Sequence, residues 1–218
     1  MTTILKVLVG SQAHGLATPE SDFDYRGVFL NPTSELLKLR GNKSKQTNWI
    51  EGEVDDTSWE LGHFLDLATH CNPTILETFL SPVEEWTQEG VELRKLFDAV
   101  WNSDGVKDAF IGYGLNQRKK FLEKKDGRPA KFAAAYLRSL YNGMELLETG
   151  TFTVRIADTP IGETVRNYKL GNYVVGDVID TCLMYEEKVR EAYNKNPNKR
   201  TDFDVVNDYL LGVRQNNW

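Results

Sequence analysis

Cysteine is scarce in this chain. Cys71 and Cys182 are the only two in 218 residues, far apart and without metal-ligand spacing. That argues against a disulfide framework or a structural zinc site, and reduced thiols in a cytosolic protein are the natural reading. Long apolar runs are missing too. None approaches the ~20 residues that cross a bilayer, so a cytoplasmic chain without a membrane partner is expected. The opening MTTILKVLVG holds an apolar run too short for a signal-peptide core and reads directly into a strand. Excess positive charge is absent as well. With 26 basic and 32 acidic residues the net charge is −6, which argues against generic nucleic-acid binding through a basic surface. There is no internal repeat and no low-complexity stretch.

What is present is ordinary in bulk and particular in detail. A hydrophobic content of 40% and a charged content of 27% suit a soluble globular chain with a real core. Residues 4–9 (ILKVLV) and 23–30 (FDYRGVFL) read as strands, and 48–55 (NWIEGEVD) as a third. NPTSELLKL predicts a short helix capped by Thr33 or Ser34. From residue 56 the pattern turns helical, with Asp56, Thr57 or Ser58 as N-cap and Trp59, Phe64 and Phe79 in the core. A short helix opens on Pro73. Longer helices are expected over 104–123, 129–148, 160–169, 174–193 and 203–214. The expected class is α/β (α+β): a small mixed sheet with helices over residues 1–85, then a mostly helical region over 86–218 that closes one side of a cleft. VEEWTQEGVE is the best boundary candidate.

Two segments run against the acidic average. Residues 36–46 hold four basic side chains and no acid. Residues 116–131 hold seven basic and two acidic ones. Solvated helix faces and loops are the plain reading of both; a triphosphate or an RNA backbone is the functional one.

The stretch VLVGSQAHGLATPESDFDYRGVFL concentrates the chemistry. On a strand, Asp22 and Asp24 project from one face, with Phe23 and Tyr25 turned into packing. Two carboxylates that close repel unless a cation sits between them. Mg²⁺ suits: it takes hard oxygen ligands, one or two carboxylates and substrate phosphates. Gly10-Ser11 ends the first strand, and its backbone N–H groups with the Ser11 hydroxyl form a phosphate grip. A two-metal site needs a third carboxylate. Glu53 and Asp55 share a strand face and Asp56 lies on the other; Asp55, at the strand's end, is favoured. The set predicts in-line attack of an acceptor hydroxyl on an NTP α-phosphate, with two Mg²⁺ ions, Mn²⁺ being a possible substitute.

These residues carry a resemblance. Gly10, Ser11, Asp22 and Asp24 match the signature of the DNA polymerase β-type nucleotidyltransferase superfamily. The S-x-A-x-G loop with Ser21-Asp22-Phe23-Asp24-Tyr25-Arg26 is similar to the RNA-ligase-associated, RlaP-like nucleotidyltransferases of bacteria and phages. Further on, Asp55, Leu61, Phe64, Asn72, Pro73 and Glu77, and then Lys131, Arg138, Glu145 and Gly150, resemble later segments of that family. Where the family often has a basic pair, this chain has Gly62-His63. The resemblance covers most of residues 4–156. It implies an RNA end as acceptor, in a repair setting, in a bacterial or phage-infected cytoplasm.

Other residues divide between bland and functional readings. His14 reads as an exposed loop histidine, with phosphate or acceptor contact as the alternative. His63 and His70 have poor spacing for zinc. Arg26 either contacts phosphate or makes a structural salt bridge. Lys131 and Arg138, one heptad apart, share a helix face and become nucleotide ligands if that face meets the Asp cleft. Glu77 reads as a surface charge behind an Asn72-Pro73 cap, or, by the resemblance, as a site residue. The favoured activity is nucleotidyl transfer from an NTP to an RNA hydroxyl. A protein or small-molecule acceptor, or an inactive nucleotide- or RNA-binding module, are the alternatives.

Overall fold

A run of β-branched and leucine residues makes Thr2–Val9 (β1) an inner strand of the sheet, with Ile4, Leu5, Val7 and Val9 buried. The computed structural model describes residues 1–39, 47–50, 55–196 and 199–218. After β1 come a helical turn at Gly10–Ala13 (α1), Asp24–Leu30 (β2), Thr33–Leu36 (α2), Thr47–Ile50 (β3), Asp55–Glu60 (β4), Leu61–Thr69 (α3), Pro73–Leu80 (α4) and Val83–Trp86 (β5). The sheet order is β3-β4-β2-β1-β5. Among the described strands, only the β2–β4 pairing is parallel; the β3–β4, β2–β1 and β1–β5 pairs are antiparallel. The class is therefore mixed α/β, with a small sheet core and a helical region after it.

The helical region comprises Gln88–Arg94 (α5), Phe97–Val100 (α6), Ser103–Leu122 (α7), Pro129–Thr149 (α8), Gly162–Lys169 (α9), Val175–Lys195 (α10) and Phe203–Asn216 (α11). Local signals set its ends. Asn102 caps α7 by accepting from the Gly105 N–H. Pro129 opens α8, and Gly150 closes it in a left-handed conformation (φ 74°) that a side chain disfavours. A chain of aromatic contacts fixes this region to the sheet layer: Phe64–Phe79, Phe79–Phe97, Phe97–Phe152 and Phe152–Phe110, with centroids 5.0–6.5 Å apart. Such pairs add ~0.5–1.5 kcal/mol each beyond burial alone.

Several expectations are corrected. The single strand expected over 48–55 is two strands, β3 and β4, and β4 runs through the residues expected to start a helix. Parallel pairing of Asp55–Glu60 with Asp24–Phe29 overrides the helical pattern there. The cap of α3 is consequently Glu60, not Asp56, Thr57 or Ser58. Its carboxylate accepts from the Gly62 N–H at 2.7 Å and also pairs with Arg214 at 2.7 Å. β5, inside the expected boundary segment, is a further strand with no clear signal. Neither Thr33 nor Ser34 caps α2; the Thr33 hydroxyl donates to the Arg214 carbonyl. Phe23 is exposed, because β2 starts only at Asp24. Trp59, Phe64 and Phe79 are buried as expected.

Candidate active site

Three strand ends meet at one edge of the sheet. β1 finishes at Val9, and β2 starts at Asp24, which pairs with Val9 on one side and with Asp55 on the other. The Gly-Ser turn and the acidic strand starts therefore share one end. Gly10 sits at φ +65°, and a Cβ there would lie 2.2 Å from Asp24 Oδ2. Only glycine lets the turn and the carboxylate approach this closely.

A cleft of about 630 Å³ opens at this end. From the sheet end and the loop before β2 it is lined by Gly10, Ser11, Glu20, Asp22, Asp24 and Arg26. From the helices it is lined by Tyr113, Gln117 and Lys120 of α7, Lys131 and Arg138 of α8, and Lys169 of α9. Carboxylates and cations in one cleft are a lining that can take a metal-bound polyphosphate. All seven expected site residues with described side chains thus line one cleft: Gly10, Ser11, Asp22, Asp24, Arg26, Lys131 and Arg138.

The third carboxylate resolves in part. The parallel register puts the Asp55 backbone beside Asp24; its side chain lies outside the described residues, as does all of Glu53. Asp56 points away and pairs with Lys6 at 2.9 Å. Among the described residues, no group of three His, Cys, Asp or Glu is arranged to hold a metal. Asp22 and Asp24 both line the cleft.

Behind the cleft wall lies a buried carboxylate. Glu77, on α4, is 2% exposed. It accepts from Arg26 Nη1 at 2.7 Å, from Arg138 Nη1 at 3.2 Å and from His14 Nε2. It thereby joins the loop after Gly10-Ser11, the acidic strand and the helical wall. Burial alone would raise the Glu77 pKa; Arg138, then His14 and Arg26, outweigh it and hold the carboxyl well below its ordinary range. Burial, with Arg138 beside it, holds His14 below its ordinary value despite the pull of Glu77. A neutral imidazole facing an acceptor-only carboxylate carries its proton on Nε2. The Glu77 charge is balanced chiefly by the two guanidinium groups. Two expectations fall here: His14 is buried rather than exposed, and Glu77 is not a surface charge. Arg26 makes the structural salt bridge while also lining the cleft.

The loop is held from the other side as well. Lys169 Nζ donates to the Leu16 carbonyl at 2.7 Å, and the Ala157 N–H donates to the His14 carbonyl at 3.0 Å. Burial lowers the Lys169 pKa, and Asp24 nearby acts against that. Sequence reasoning did not find Lys169 or Tyr113, and it reached Gln117 and Lys120 only as unnamed members of the basic segment 116–131. Each is a single residue on a helix face, and nothing local says that the face meets the cleft. His63 and His70 do not line the cleft; His70 lies on the exposed side of α3, against Asp66. Residues 40–46, most of the first basic segment, lie outside the described residues. No helix among the described residues is long and apolar enough to cross a membrane.

Sheet, phosphate-type turn and paired aspartates together are those of a polymerase-β-like nucleotidyltransferase. More particularly, the chain belongs to RlaP, the RNA repair pathway DNA polymerase beta family, whose profile matches residues 1–168. Among curated proteins it is similar to an uncharacterized 38.9 kDa protein of Enterobacteria phage T4, at 31% identity over 91 residues, covering 38% of this chain and 27% of that protein. It is also similar to an uncharacterized protein of Methanocaldococcus jannaschii, at 28% identity over 165 residues, covering 68% of this chain and 62% of that one. The match thus spans less than two thirds of the length of either relative.

Proposed function

We propose that this protein moves a nucleoside monophosphate from an NTP to an acceptor hydroxyl, and that the acceptor is an RNA end. The observation that carries the reading is the cleft itself. Asp22, Asp24 and the Gly10-Ser11 turn line it together with Lys120, Lys131, Arg138 and Lys169. Asp22 and Asp24, with Asp55 beside Asp24 in register, would hold Mg²⁺, as two ions, with Mn²⁺ as a possible substitute. The donor set fits, since Mg²⁺ uses one or two carboxylates together with substrate phosphates. When bound, the metal supplies positive charge for the attacking and leaving oxygens.

The chain's own groups do the rest. Backbone N–H groups at Gly10-Ser11 and the Ser11 hydroxyl grip the phosphates. The acceptor oxygen attacks the α-phosphorus in line, its proton leaves, and the bond to pyrophosphate breaks. Lys131, Lys169 and Arg138 offset the charge that gathers on pyrophosphate. Arg26 and Arg138 each commit Nη1 to Glu77. Their Nη2 and Nε make no hydrogen bond to a described residue and remain for phosphate oxygens. The RNA reading is supported by the family's description and by Lys119, Lys124, Lys125 and Arg128. These exposed side chains lie on or between α7 and α8, the helices that carry Lys120 and Lys131 to the cleft.

The test is incubation with each α-labelled NTP, Mg²⁺ and a panel of RNA, protein and small-molecule acceptors, beside an Asp22→Asn/Asp24→Asn control. Label on RNA, lost in the control, is expected. Label that persists in the control would overturn the carboxylate assignment. Label only on protein or small molecules would overturn the RNA acceptor. RNA binding without turnover, unchanged in the control, would point to an inactive binding module.

A further inference from the structure

The Gly10-Ser11 turn is tied to a distant part of the chain. Residues 14–16 form the link. Their N–H groups reach back to the turn: His14 donates to the Gly10 carbonyl at 3.0 Å, Gly15 to Gln12 at 3.2 Å and Leu16 to Ser11 at 2.9 Å. Their carbonyls are taken by one later segment. His14 accepts from the Ala157 N–H at 3.0 Å, Gly15 from Arg166 Nη2 at 3.3 Å and Leu16 from Lys169 Nζ at 2.7 Å. Residues 14, 15 and 16 thus each use both backbone groups, N–H towards the turn and C=O towards 157–169.

These bonds set which way the turn faces. In a trans peptide the N–H points opposite to the C=O, and no cis peptide occurs among the described residues. With the Gly10 and Ser11 carbonyls held by His14 and Leu16, the N–H groups of Ser11 and Gln12 turn away from the link. Gly10 and Ser11 line the cleft. The approach of the later segment is close. Gly15 sits at φ +70°, and a Cβ there would lie 2.8 Å from Ala157 Cβ and 3.1 Å from Arg155 Cζ, so glycine is required. Of the three donors, Lys169 lines the cleft; Ala157 and Arg166 do not. Arg166 is exposed on α9. A bond from such a side chain bears on the local order of the loop more than on the core.

We propose that Arg166 is a positioning residue for the nucleotide. Through the Gly15 carbonyl it holds the Gly10-Ser11 turn in the orientation that takes the triphosphate, without touching the ligand. This rests on the NTP-transferase reading above. It makes triphosphate affinity depend on a side chain 151 residues along the chain from Gly15.

The test uses inorganic tripolyphosphate and the four NTPs, each with Mg²⁺, so that base preference drops out. Affinities are measured by titration calorimetry for the wild type, Arg166→Met, Arg166→Lys and Gly15→Ala. Amide exchange of residues 10–16 is followed in the same proteins without ligand. Arg166→Met should exchange faster there and bind tripolyphosphate and NTPs ~10-fold more weakly, the low end for one charge-assisted hydrogen bond. Arg166→Lys keeps a donor and should recover most of both. Gly15→Ala removes no charge and should still weaken binding as Arg166→Met does. Either of these two carries the test should the other fail to fold, as checked by thermal unfolding. The loss in Arg166→Met should be equal at low and high salt, because no ion pair with the ligand is broken. A loss that shrinks in salt would mean that Arg166 meets phosphate directly, and it overturns the inference. Unchanged affinity or unchanged exchange in a folded Arg166→Met overturns it too, and in all these cases the transferase reading stands. A wild type that binds neither tripolyphosphate nor any NTP overturns both.

Discussion

Replacing Glu77 with glutamine tests whether the buried carboxylate holds the site together. In the wild type this side chain is almost wholly enclosed and accepts from Arg26, Arg138 and His14. Glutamine keeps the shape and one acceptor, but removes the charge and turns an NH₂ towards a guanidinium. Two half-buried cations then lack a counter-charge. Breaking a buried ion pair on one side costs ~3–5 kcal/mol. For a chain of this length each kcal/mol lowers Tm by about 2–4 °C, so a fall of roughly 6–20 °C is expected. The pH dependence has a definite sign. The folded-state pKa of Glu77 is lowered, so its stabilisation is fully present above the ordinary glutamate value of ~4.3 and fades as pH falls below it. Urea denaturation of both proteins at neutral pH, and at steps down through pH ~4, reads the difference directly. A loss under ~1 kcal/mol at neutral pH, well short of a broken buried pair, would refute the reasoning. So would a gap that widens in acid.

Other expectations follow from the same geometry. His14 is buried and held below its ordinary pKa. Stability should therefore drop as pH falls below ~6.5, where the unfolded state takes up a proton first, and His14→Gln should flatten that slope in denaturation curves. Gly10→Ala puts a Cβ 2.2 Å from Asp24 Oδ2 at a positive φ; ~1–3 kcal/mol of strain should appear as a lower Tm, with weakened NTP binding in the same sample. Single Asp22→Asn or Asp24→Asn variants should keep the fold by circular dichroism and lose ~10³-fold or more in transfer rate, given the several kcal/mol a bound metal supplies. Neutralising Lys124, Lys125 and Arg128 should flatten the salt dependence of RNA affinity, by about one in log–log slope for each phosphate that these side chains neutralise, with NTP affinity unchanged.

How much of this was legible in the sequence depends on contact range. Gly10-Ser11 and Asp22-x-Asp24 announce themselves because their chemistry is local: a strand, a tight turn, then a second strand. The long helices were legible for the same reason, since Pro129, Gly150 and Asn102 are local end signals. The segment 55–60 misled, because its strand state comes from pairing with β2 rather than from its own pattern. The Glu77 cluster was only half visible. His14, Arg26 and Arg138 reach one carboxylate from three separate elements, and no spacing rule encodes such a meeting. Gln117 was not singled out for a related reason. Helical periodicity gives the faces of α7 but not their neighbours, and an amide among lysines reads as surface.

The pairing of β2 with β4 has one more consequence. Side chains alternate along β4, so a slip of one residue exchanges its two faces. Asp55 and Asp56 are chemically identical, and a slip in one direction would still place an aspartate beside Asp24. Lys6 breaks that ambiguity. It meets Asp56 on the far side of the sheet, and in that slipped state Thr57 would take the place of Asp56. A slip the other way would leave Lys6 an aspartate but put Val54 beside Asp24. Only the native alignment keeps an aspartate both beside Asp24 and against Lys6, so the surface ion pair works as a parity check on β4. On the proposed function, Lys6→Met should therefore lower activity from the opposite side of the sheet, where Lys6 also lies over the ring of Tyr25.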